Sequence, residues 1–363
     1  TIFLLGLGLG SFFYTRAVRA GRAEANLAYC QLAIAGLSLT ALLIEQWVLL
    51  EPGFLVGLNE LLAPLGSWQA RLTAGSLTAV VIVLPPVLAM GLAFPVASRL
   101  FLGSVQHLSA RVGLAYLLSN LGSILGAILA AVWILPALGT VGGVKLFALI
   151  NALLGCLILV RAFGRASIPR MVAAIGVLAV LFLLLPSRLH FQPGFVSAQP
   201  GSFQLEFEEE SDLGTVQVFS RGESREARAM LIDGTIIGGN EAWGDVIHTK
   251  QRILAHLPMS LDRNIRHTLN LGVATGSTVE ALSGYPWVET LDAVEINPAV
   301  VGAADHFGES QVFQDPRVRL IVEDAIHYLL STPRFYDLIV NDAKQDLRFS
   351  GSSKVLSYEL YRY

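Results

Sequence analysis

The chain has 363 residues, of which 53% are hydrophobic and only 15% are charged, and its formal net charge is −3. A chain of this length predicts about two domains, but the hydrophobic share is too high for two ordinary soluble ones. We therefore expect part of the chain to lie in lipid. The small negative charge and the lack of a dense Lys/Arg run exclude the basic face that nucleic acid requires.

The cysteines and the two ends of the chain carry little functional information. Cys30 and Cys156 are the only cysteines and both lie in apolar runs, so the sequence predicts neither a metal site nor a disulfide framework. The chain opens at Thr1 inside an apolar run and stops at Tyr363 soon after a strand-like segment. We therefore expect both ends to be cut and the second domain to be truncated at its C-terminus.

Long apolar runs organise the first half of the chain. Crossing a bilayer takes about 20 residues. Runs of this kind cover residues 27–50, 72–97 and 112–138, and shorter ones cover residues 1–14, 144–160 and 171–185. The sequence therefore predicts a multi-pass transmembrane helical domain over residues 1–187, with about six helices.

Arginine-rich connections set the expected orientation in the membrane. The segments "RAVRAGRAEAN", "SRLFLGSVQHLSAR" and "RAFGRASIPR" carry most of the arginines, which predicts a cytoplasmic position for them. If residues 171–185 crossed the membrane, the following domain would be outside the cytoplasm. Because this run has only about 15 residues, we expect it to lie along the interface or to re-enter. The expected location is the inner membrane, with a cytoplasmic second domain.

A few polar and small residues stand out in the apolar half. Gly122 and Gly126 form a small-xxx-small pair, which predicts close helix packing. Glu45, Asn120 and Asn151 lie in or near the predicted spans, where polar groups are costly, so a solute pathway is the alternative to plain packing.

After "PSRLHFQPG" the chain changes character, because charged residues become frequent. Runs such as "TVQVFS" and "AMLIDG" alternate like strands, which predicts a small β-sheet over residues 200–240 within a second domain, 188–363. From residue 265 onward, strands and helices alternate in the order "HTLNLGV", a helix from Ser277, "VETLDAVEI", a helix from Pro298, "VRLIVED", a helix from Ala325, and "YDLIVND". This order predicts an α/β Rossmann-like domain with a parallel sheet.

The first two strand ends carry candidate ligand-binding residues, since ligands bind at the carboxyl ends of such strands. Gly272 and Gly276 flank a turn where backbone can approach a ligand, ahead of a helix N-terminus with free N–H groups; a tight structural turn is the alternative. Glu295 lies about 20 residues beyond Gly276, the spacing at which an acid accepts hydrogen bonds from ribose hydroxyls. The alternative for Glu295 is a solvated acid.

The third and fourth strand ends each supply another carboxylate. Asp324 precedes the small Ala325, a pair suited to a base amino group beside a flat ring, although Asp324 could instead cap the helix "AIHYLL". Asp342 closes the apolar strand "FYDLIVND". Jointly the four strand ends predict one ligand site much more specifically than any single motif.

The run "LIDGTIIGG…LAHLPM…TLNLGVATGSTVEAL…LDAVEINPAVV…DPRVRLIVEDAIHYL…YDLIVNDA" resembles the spermidine synthases, or polyamine aminopropyltransferases. Its attachment to an apolar half is similar to their membrane-fused bacterial relatives. The resemblance implies a small N-terminal β-sheet before an S-adenosylmethionine methyltransferase-type fold, and transfer of an aminopropyl group from decarboxylated S-adenosylmethionine to a diamine. By position it assigns Glu295 to the ribose, Asp324 to the adenine, and Asp342 to the attacking amine as the catalytic carboxylate that accepts its proton.

The sequence departs from this family around the acceptor. Ala274 stands where the family's glycine loop carries an aspartate for the aminopropyl nitrogen, and Ile237 stands where a glutamine follows the "LDG" turn. The second acid after Asp342 comes one residue late, as Asp346, with Lys344 between them. A dicationic acceptor favours a pocket rich in carboxylates, so these losses weaken the amine-binding assignment.

The segment "WGDVIHTKQRILAHLPM" replaces the family's acid-and-tyrosine motif. Asp245 is its nearest acid, and His248 and Lys250 add polar or positive character. Asp245 and Asp346 are therefore the remaining candidate amine-binding residues.

The expected function is aminopropyl transfer from decarboxylated S-adenosylmethionine, or a related reaction of S-adenosylmethionine, to a small-molecule amine, without a metal. The lipid bilayer is the second expected partner, and a homo-oligomer is left open. One alternative is another S-adenosylmethionine-type transferase with a membrane-proximal substrate. The other is a non-catalytic Rossmann sensor or cap on a transporter-like helical bundle.

Overall fold

The computed structural model describes residues 2–17, 22–49, 52–62, 64, 67–102, 108–186, 202–211, 213–244 and 246–343. The chain divides into two compact units, Thr1–Gln192 and Pro193–Tyr363. This division lies close to the boundary predicted between residues 187 and 188.

The first unit is helical throughout its described residues. Its helices are α1 (Ile2–Ala17), α2 (Ala23–Ile44), α3 (Pro52–Leu62), α4 (Ser67–Leu102), α5 (Leu108–Leu129), α6 (Leu135–Phe163) and α7 (Ile168–Leu184). Wider π-helical turns extend α2 over Glu45–Leu49 and join α5 to α6 over Ala130–Ile134. The predicted apolar runs fall in helices, whereas α3 occupies a segment that was predicted as a connection.

Three helical stretches of the described chain are long and apolar enough to cross a membrane, judged by length and composition. They are Ala23–Leu49, Leu72–Phe101 and Ser109–Leu184. The third stretch contains a kink at Gly139, where φ is 67° and ψ is 178°, and a short 3-10 turn over Gly164–Ser167. The kink follows the predicted end of an apolar run at residue 138.

Close helix packing occurs between α1 and α4 through Gly10 and Gly91. A Cβ on Gly10 would lie 2.4 Å from the Leu88 carbonyl oxygen and 2.8 Å from the Gly91 Cα, so only glycine fits there. Ser11 Oγ also donates to the Gly91 carbonyl over 3.1 Å. By contrast, no described atom lies within 4 Å of a Cβ built on Gly122 or Gly126, so the predicted packing at that pair is not found in the described chain.

Helix α7 packs against α2 and α6 in the described part of the first unit. Leu178 and Leu181 of α7 join the apolar cluster that contains Leu39 of α2 and Ala148 of α6. Lys145 Nζ donates to the Leu185 carbonyl over 3.0 Å, and so satisfies a backbone group where α7 ends. Helix α7 is therefore a member of the helical bundle rather than a separate element.

The second unit begins with a four-stranded antiparallel sheet in the order β1-β2-β3-β4. Its strands are β1 (Phe203–Ser211), β2 (Gly214–Arg221), β3 (Ala227–Ile232) and β4 (Thr235–Gly239). Asp233 and Gly234, with φ of 49° and 72°, form the tight hairpin turn between β3 and β4, as an Asp-Gly pair favours. The small predicted sheet is therefore present, with "TVQVFS" in β2 and "AMLI" in β3.

A parallel sheet follows, in the order β7-β6-β5-β8. Its elements are α8 (Val246–Leu261), β5 (His267–Leu271), α9 (Ser277–Ser283), β6 (Thr290–Glu295), α10 (Pro298–Ala304), β7 (Val318–Val322), α11 (Ala325–Ser331) and β8 (Leu338–Asn341). Apolar side chains of these strands and of α8 and α9, among them Met259, Leu282 and Leu291, fill the core. The predicted order of strands and helices is present, and the helices begin at the predicted Ser277, Pro298 and Ala325, whereas β6 and β8 each begin two residues after the start of the predicted segment.

A buried carboxylate lies near the middle of β6. Asp292 has 1% exposure and accepts hydrogen bonds from Arg319 Nη2 over 2.9 Å, Tyr328 Oη over 2.9 Å and Tyr336 Oη over 2.6 Å. Burial raises the pKa of Asp292, but the hydrogen bonds from both tyrosines and the Arg319 charge outweigh burial and hold the pKa below its ordinary value. This network links β6, β7 and α11.

We predict that Asp292→Asn destabilises the sheet by about 3 kcal/mol, because it leaves the buried donors without their charged partner. The folded-state pKa of Asp292 is lowered, so its contribution is present above the unfolded pKa of about 4 and is lost as pH falls further. Hydrogen exchange of β6 and α11 in the full chain measures the loss. The exposed Asp305→Asn is the control, and equal protection in both variants at neutral pH would contradict the prediction.

Candidate active site

The carboxyl ends of β5, β6 and β8 form the crevice where the strand order reverses. The chain runs from β5 to β6 and β7 on one side and then returns to β8 on the other side of β5. Leu271 is level with Val294 of β6 and with Asn341 of β8, so these three strands end together. A reversal of this kind is where parallel α/β sheets bind ligands.

The glycine turn after β5 packs directly against the chain after β8. Gly272 has a φ of 86°, and a Cβ there would lie 2.7 Å from the Ala343 Cα and N atoms. Gly272 N donates to the Val294 carbonyl over 2.8 Å, and Gly276 also has a positive φ of 93°. Backbone packing alone therefore requires glycine at position 272, as the tight-turn alternative proposed.

Ala274 is the residue of this turn that departs from the family. It is 7% exposed and has a φ of 47°, a left-handed conformation that aspartate tolerates better than alanine. A Cβ on Gly238 would lie 2.7 Å from Thr275 Cγ2, so the end of β4 packs closely against the turn. Ile237, the other departure, packs against the apolar cluster that includes Val218 of β2.

Glu295 is buried beside the glycine turn. Its Oε2 accepts a hydrogen bond from Val273 N and its Oε1 accepts one from Asn297 N, both over 3.0 Å. At 9% exposure it is not the solvated acid of the alternative interpretation. A carboxylate oxygen can accept more than one hydrogen bond, so both oxygens keep capacity for hydroxyl donors.

Asp324 caps helix α11 at the third strand end. Its Oδ1 accepts hydrogen bonds from Ile326 N and His327 N, both over 2.9 Å, and the side chain is exposed next to the half-buried Ala325. Asp324 therefore caps this helix, as the alternative interpretation predicted. The role of Asp324 and Ala325 in binding an adenine stays a prediction.

Asp342 is held by side chains from two helices. Its Oδ2 accepts from Thr278 Oγ1 of α9 over 2.7 Å and from Gln251 Nε2 of α8 over 3.0 Å. Its Oδ1 lies 3.1 Å from Lys250 Nζ, with side-chain exposures of 2% for the aspartate and 44% for the lysine. The carboxylate predicted to meet the nucleophile is therefore oriented on one oxygen and charge-balanced on the other.

The sequence interpretation did not connect Lys250, Gln251 and Thr278 with Asp342. A signal for Gln251 existed, because Gln251 and His248 lie at helical spacing with the buried Ala255 and Met259. Polar residues on the buried face of a helix require partners. Gln251 Oε1 is itself buried and has no hydrogen-bond partner among the described residues.

The two remaining candidate amine-binding acids lie outside the described residues. Asp245 and Asp346, and with them Lys344, belong to the segments that the structure does not describe. Asp337 lies at the amino end of β8, where its Oδ2 accepts from Arg266 N and His267 N over 2.8 Å, and these backbone hydrogen bonds lower its pKa. In the described parts of the chain, no group of three or more His, Cys, Asp or Glu side chains could hold a metal ion.

Comparison with known proteins finds a family model that matches part of the second unit. Residues 247–359 match the family model described as "Spermine/spermidine synthase domain". The family predicted from the motifs is confirmed for this segment. The match includes α8 with Lys250 and Gln251, the glycine turn, Glu295 and Asp342.

Curated relatives of this segment share the same name. The polyamine aminopropyltransferase of Clostridium perfringens is 34% identical over 93 residues, which are 25% of this chain and 33% of that protein. The polyamine aminopropyltransferase of Clostridioides difficile is 31% identical over 140 residues, or 38% of this chain and 47% of that protein. The chain thus spans less than half the length of these two relatives.

Solved spermidine synthases resemble part of the chain. A spermidine synthase crystallised in complex with the transition state analogue AdoDATO has a TM-score of 0.39 and 22% identity, covering 44% of this chain and 52% of that one. The spermidine synthase from Thermotoga maritima has a TM-score of 0.38 and 21% identity, covering 44% and 51%.

Proposed function

We propose that the C-terminal unit is a spermidine synthase-like aminopropyltransferase, which moves an aminopropyl group from decarboxylated S-adenosylmethionine to an amine. The observation that carries this proposal is the buried carboxylate of Asp342 in the same crevice as the Gly272 turn and Glu295. The names of the curated relatives support the same reaction class.

The residues of the crevice fit an adenosyl co-substrate. Glu295 offers a buried carboxylate with remaining acceptor capacity for ribose hydroxyls, and the turn from Gly272 to Gly276 offers backbone with little side chain. Asp324 and Ala325 would flank the adenine at the next strand end. When bound, the co-substrate supplies a sulfonium whose neighbouring methylene carbon accepts the amine, and 5′-methylthioadenosine leaves.

Asp342 would orient the acceptor amine and take its proton. A sulfonium needs no acid to leave, so the chain has to supply position and a base rather than a proton donor. Thr278 and Gln251 fix the Asp342 carboxylate and so define the direction from which an amine can be held. Asp245 and Asp346 remain proposed as weaker contacts to the amine.

For the co-substrate, we predict that Glu295→Ala weakens methylthioadenosine binding by roughly ten- to a hundredfold, through loss of a charge-assisted hydrogen bond of about 1.5–3 kcal/mol. Calorimetric titration of the full chain measures the affinity. Glu289→Ala, which removes an exposed acid near the amino end of β6, is the control. Unchanged affinity in the Glu295 variant would show that this strand end does not hold the ribose.

For the reaction, we predict that Asp342→Asn lowers turnover with an amine acceptor by roughly 10²–10⁴-fold, because the amide keeps the shape but removes the charge and the base. Methylthioadenosine affinity should change little, since Asp342 lies on the acceptor side. Both quantities are measured in one preparation, with Asp305→Asn as the control. Wild-type turnover in the Asn variant would remove Asp342 from the mechanism.

A second candidate is a different S-adenosylmethionine-type transferase, such as a methyltransferase with a membrane-proximal substrate. The neutral Ala274 favours it, because the resemblance places there an aspartate for the aminopropyl nitrogen of decarboxylated S-adenosylmethionine. The Lys250 cation beside Asp342 also favours it, because it reduces the negative charge available to a diamine. Product analysis with decarboxylated and intact S-adenosylmethionine separates the two transferases. Tight adenosyl binding without turnover of either would instead support the non-catalytic sensor or cap.

We propose further that the helical unit lies in the cell's inner membrane as a multi-pass bundle and that the C-terminal unit functions in the cytoplasm. The length and composition of three helical stretches support the membrane location. The cytoplasmic side is favoured by the need for an adenosyl co-substrate. The arginine count and the packing of α7 along α2 and α6 favour the opposite side.

We predict that Ser202→Cys is not labelled by an impermeant thiol reagent added to intact cells, and is labelled after the cells are opened. Ser202 immediately precedes β1 and so reports the side of the C-terminal unit. A cysteine-free background, made by replacing Cys30 and Cys156, removes other labelling. Efficient labelling of intact cells would place this unit outside.

A further inference from the structure

The Asp342 carboxylate is occupied by donors of the chain itself on both of its oxygens. Oδ2 accepts from Thr278 Oγ1 and Gln251 Nε2, and Oδ1 faces the Lys250 ammonium over 3.1 Å. An acceptor amine that reaches Asp342 therefore meets an acid whose charge is already balanced. The cation that balances it comes from α8, not from a substrate.

We infer that Lys250 is a specificity-determining residue that selects acceptor amines without a second positive charge. This inference rests on the proposed function and names the acceptor class for it: a primary amine whose remaining part is uncharged. A diamine, with two ammonium groups, would be disfavoured.

The charges of the described crevice support this selection. Glu295 accepts from the backbone N–H groups of Val273 and Asn297 on the co-substrate side. Ala274 in the glycine turn is neutral. The Lys250–Asp342 pair sums to zero, so Asp342 has no unbalanced charge to offer a second ammonium.

The position of Lys250 also acts on the attacking group. A cation close to a bound amine disfavours the protonated form of that amine, because like charges in a partly buried site repel each other. Only the neutral amine is a nucleophile. Lys250 therefore has two effects. It disfavours an acceptor with a second positive charge, and it favours the neutral, reactive form of an acceptor that has one ionisable nitrogen.

Helix α8 provides a matched control. Arg252 lies two positions after Lys250, is 41% exposed, and pairs with Glu280 over 3.1 Å. Lys250 is 44% exposed and has the same pair distance with Asp342. Arg252 is thus a cation of similar exposure on the same helix that contacts a different carboxylate.

The test measures binding of two probes, butylamine and 1,4-diaminobutane, to the full chain saturated with methylthioadenosine. We expect the wild type to bind butylamine at least as tightly as the diamine. Lys250→Met, which keeps the apolar stem, should shift the ratio of the two affinities toward the diamine by roughly tenfold or more. Lys250→Arg and Arg252→Met should keep the wild-type ratio.

An unchanged ratio in Lys250→Met would overturn the inference, including the case in which both affinities change by the same factor, as a merely structural role would produce. Turnover with decarboxylated S-adenosylmethionine in the same preparations separates this inference from the proposed function. A shifted ratio without any aminopropyl product would retain Lys250 as the selector and reject the transferase. If the wild type turns over the diamine and Lys250→Met leaves that turnover unchanged, the transferase is retained and Lys250 is rejected as the selector.

Discussion

The close contact between the Gly272 turn and the chain after β8 determines the geometry of the whole site. A side chain at position 272 would collide with the Ala343 backbone, so only glycine lets the two strand ends meet. Because they meet, Asp342 reaches the first turn of α9 and accepts the hydrogen bond of Thr278. The same turn presents Val273 N to Glu295, so one backbone contact positions both carboxylates.

The two buried carboxylates of the site are stabilised in different ways. Glu295 accepts from backbone N–H groups, which any sequence supplies as long as the turn forms. Asp342 depends on side chains of α8 and α9, which single substitutions can change. The surroundings of Glu295 are therefore fixed by the fold, whereas the surroundings of Asp342 can vary in charge without disturbing the sheet.

Local patterns predicted most of the second unit, because each strand or helix and the residues at its ends depend on positions that are close together in the sequence. Contacts between distant positions were not predictable in this way: Gln251 and Asp342 are 91 residues apart. In the first unit, the small-residue pattern was assigned to Gly122 and Gly126, but the close contact is between Gly10 and Gly91. A spacing pattern shows that one face of a helix carries small residues. It does not show whether another helix packs against that face, or which one.

The exposure of the groups around Asp342 implies that its two oxygens have different tasks. Thr278 and Gln251 are buried, at 0% and 1% exposure, and withdrawing either would leave polar atoms without partners. Lys250 is 44% exposed and faces Oδ1 over 3.1 Å, so its flexible stem can shift to admit an amine while the ammonium stays beside the carboxylate. Oδ2 is thus the fixed oxygen that orients the carboxylate. Oδ1 is the oxygen that an acceptor amine approaches, next to the Lys250 cation.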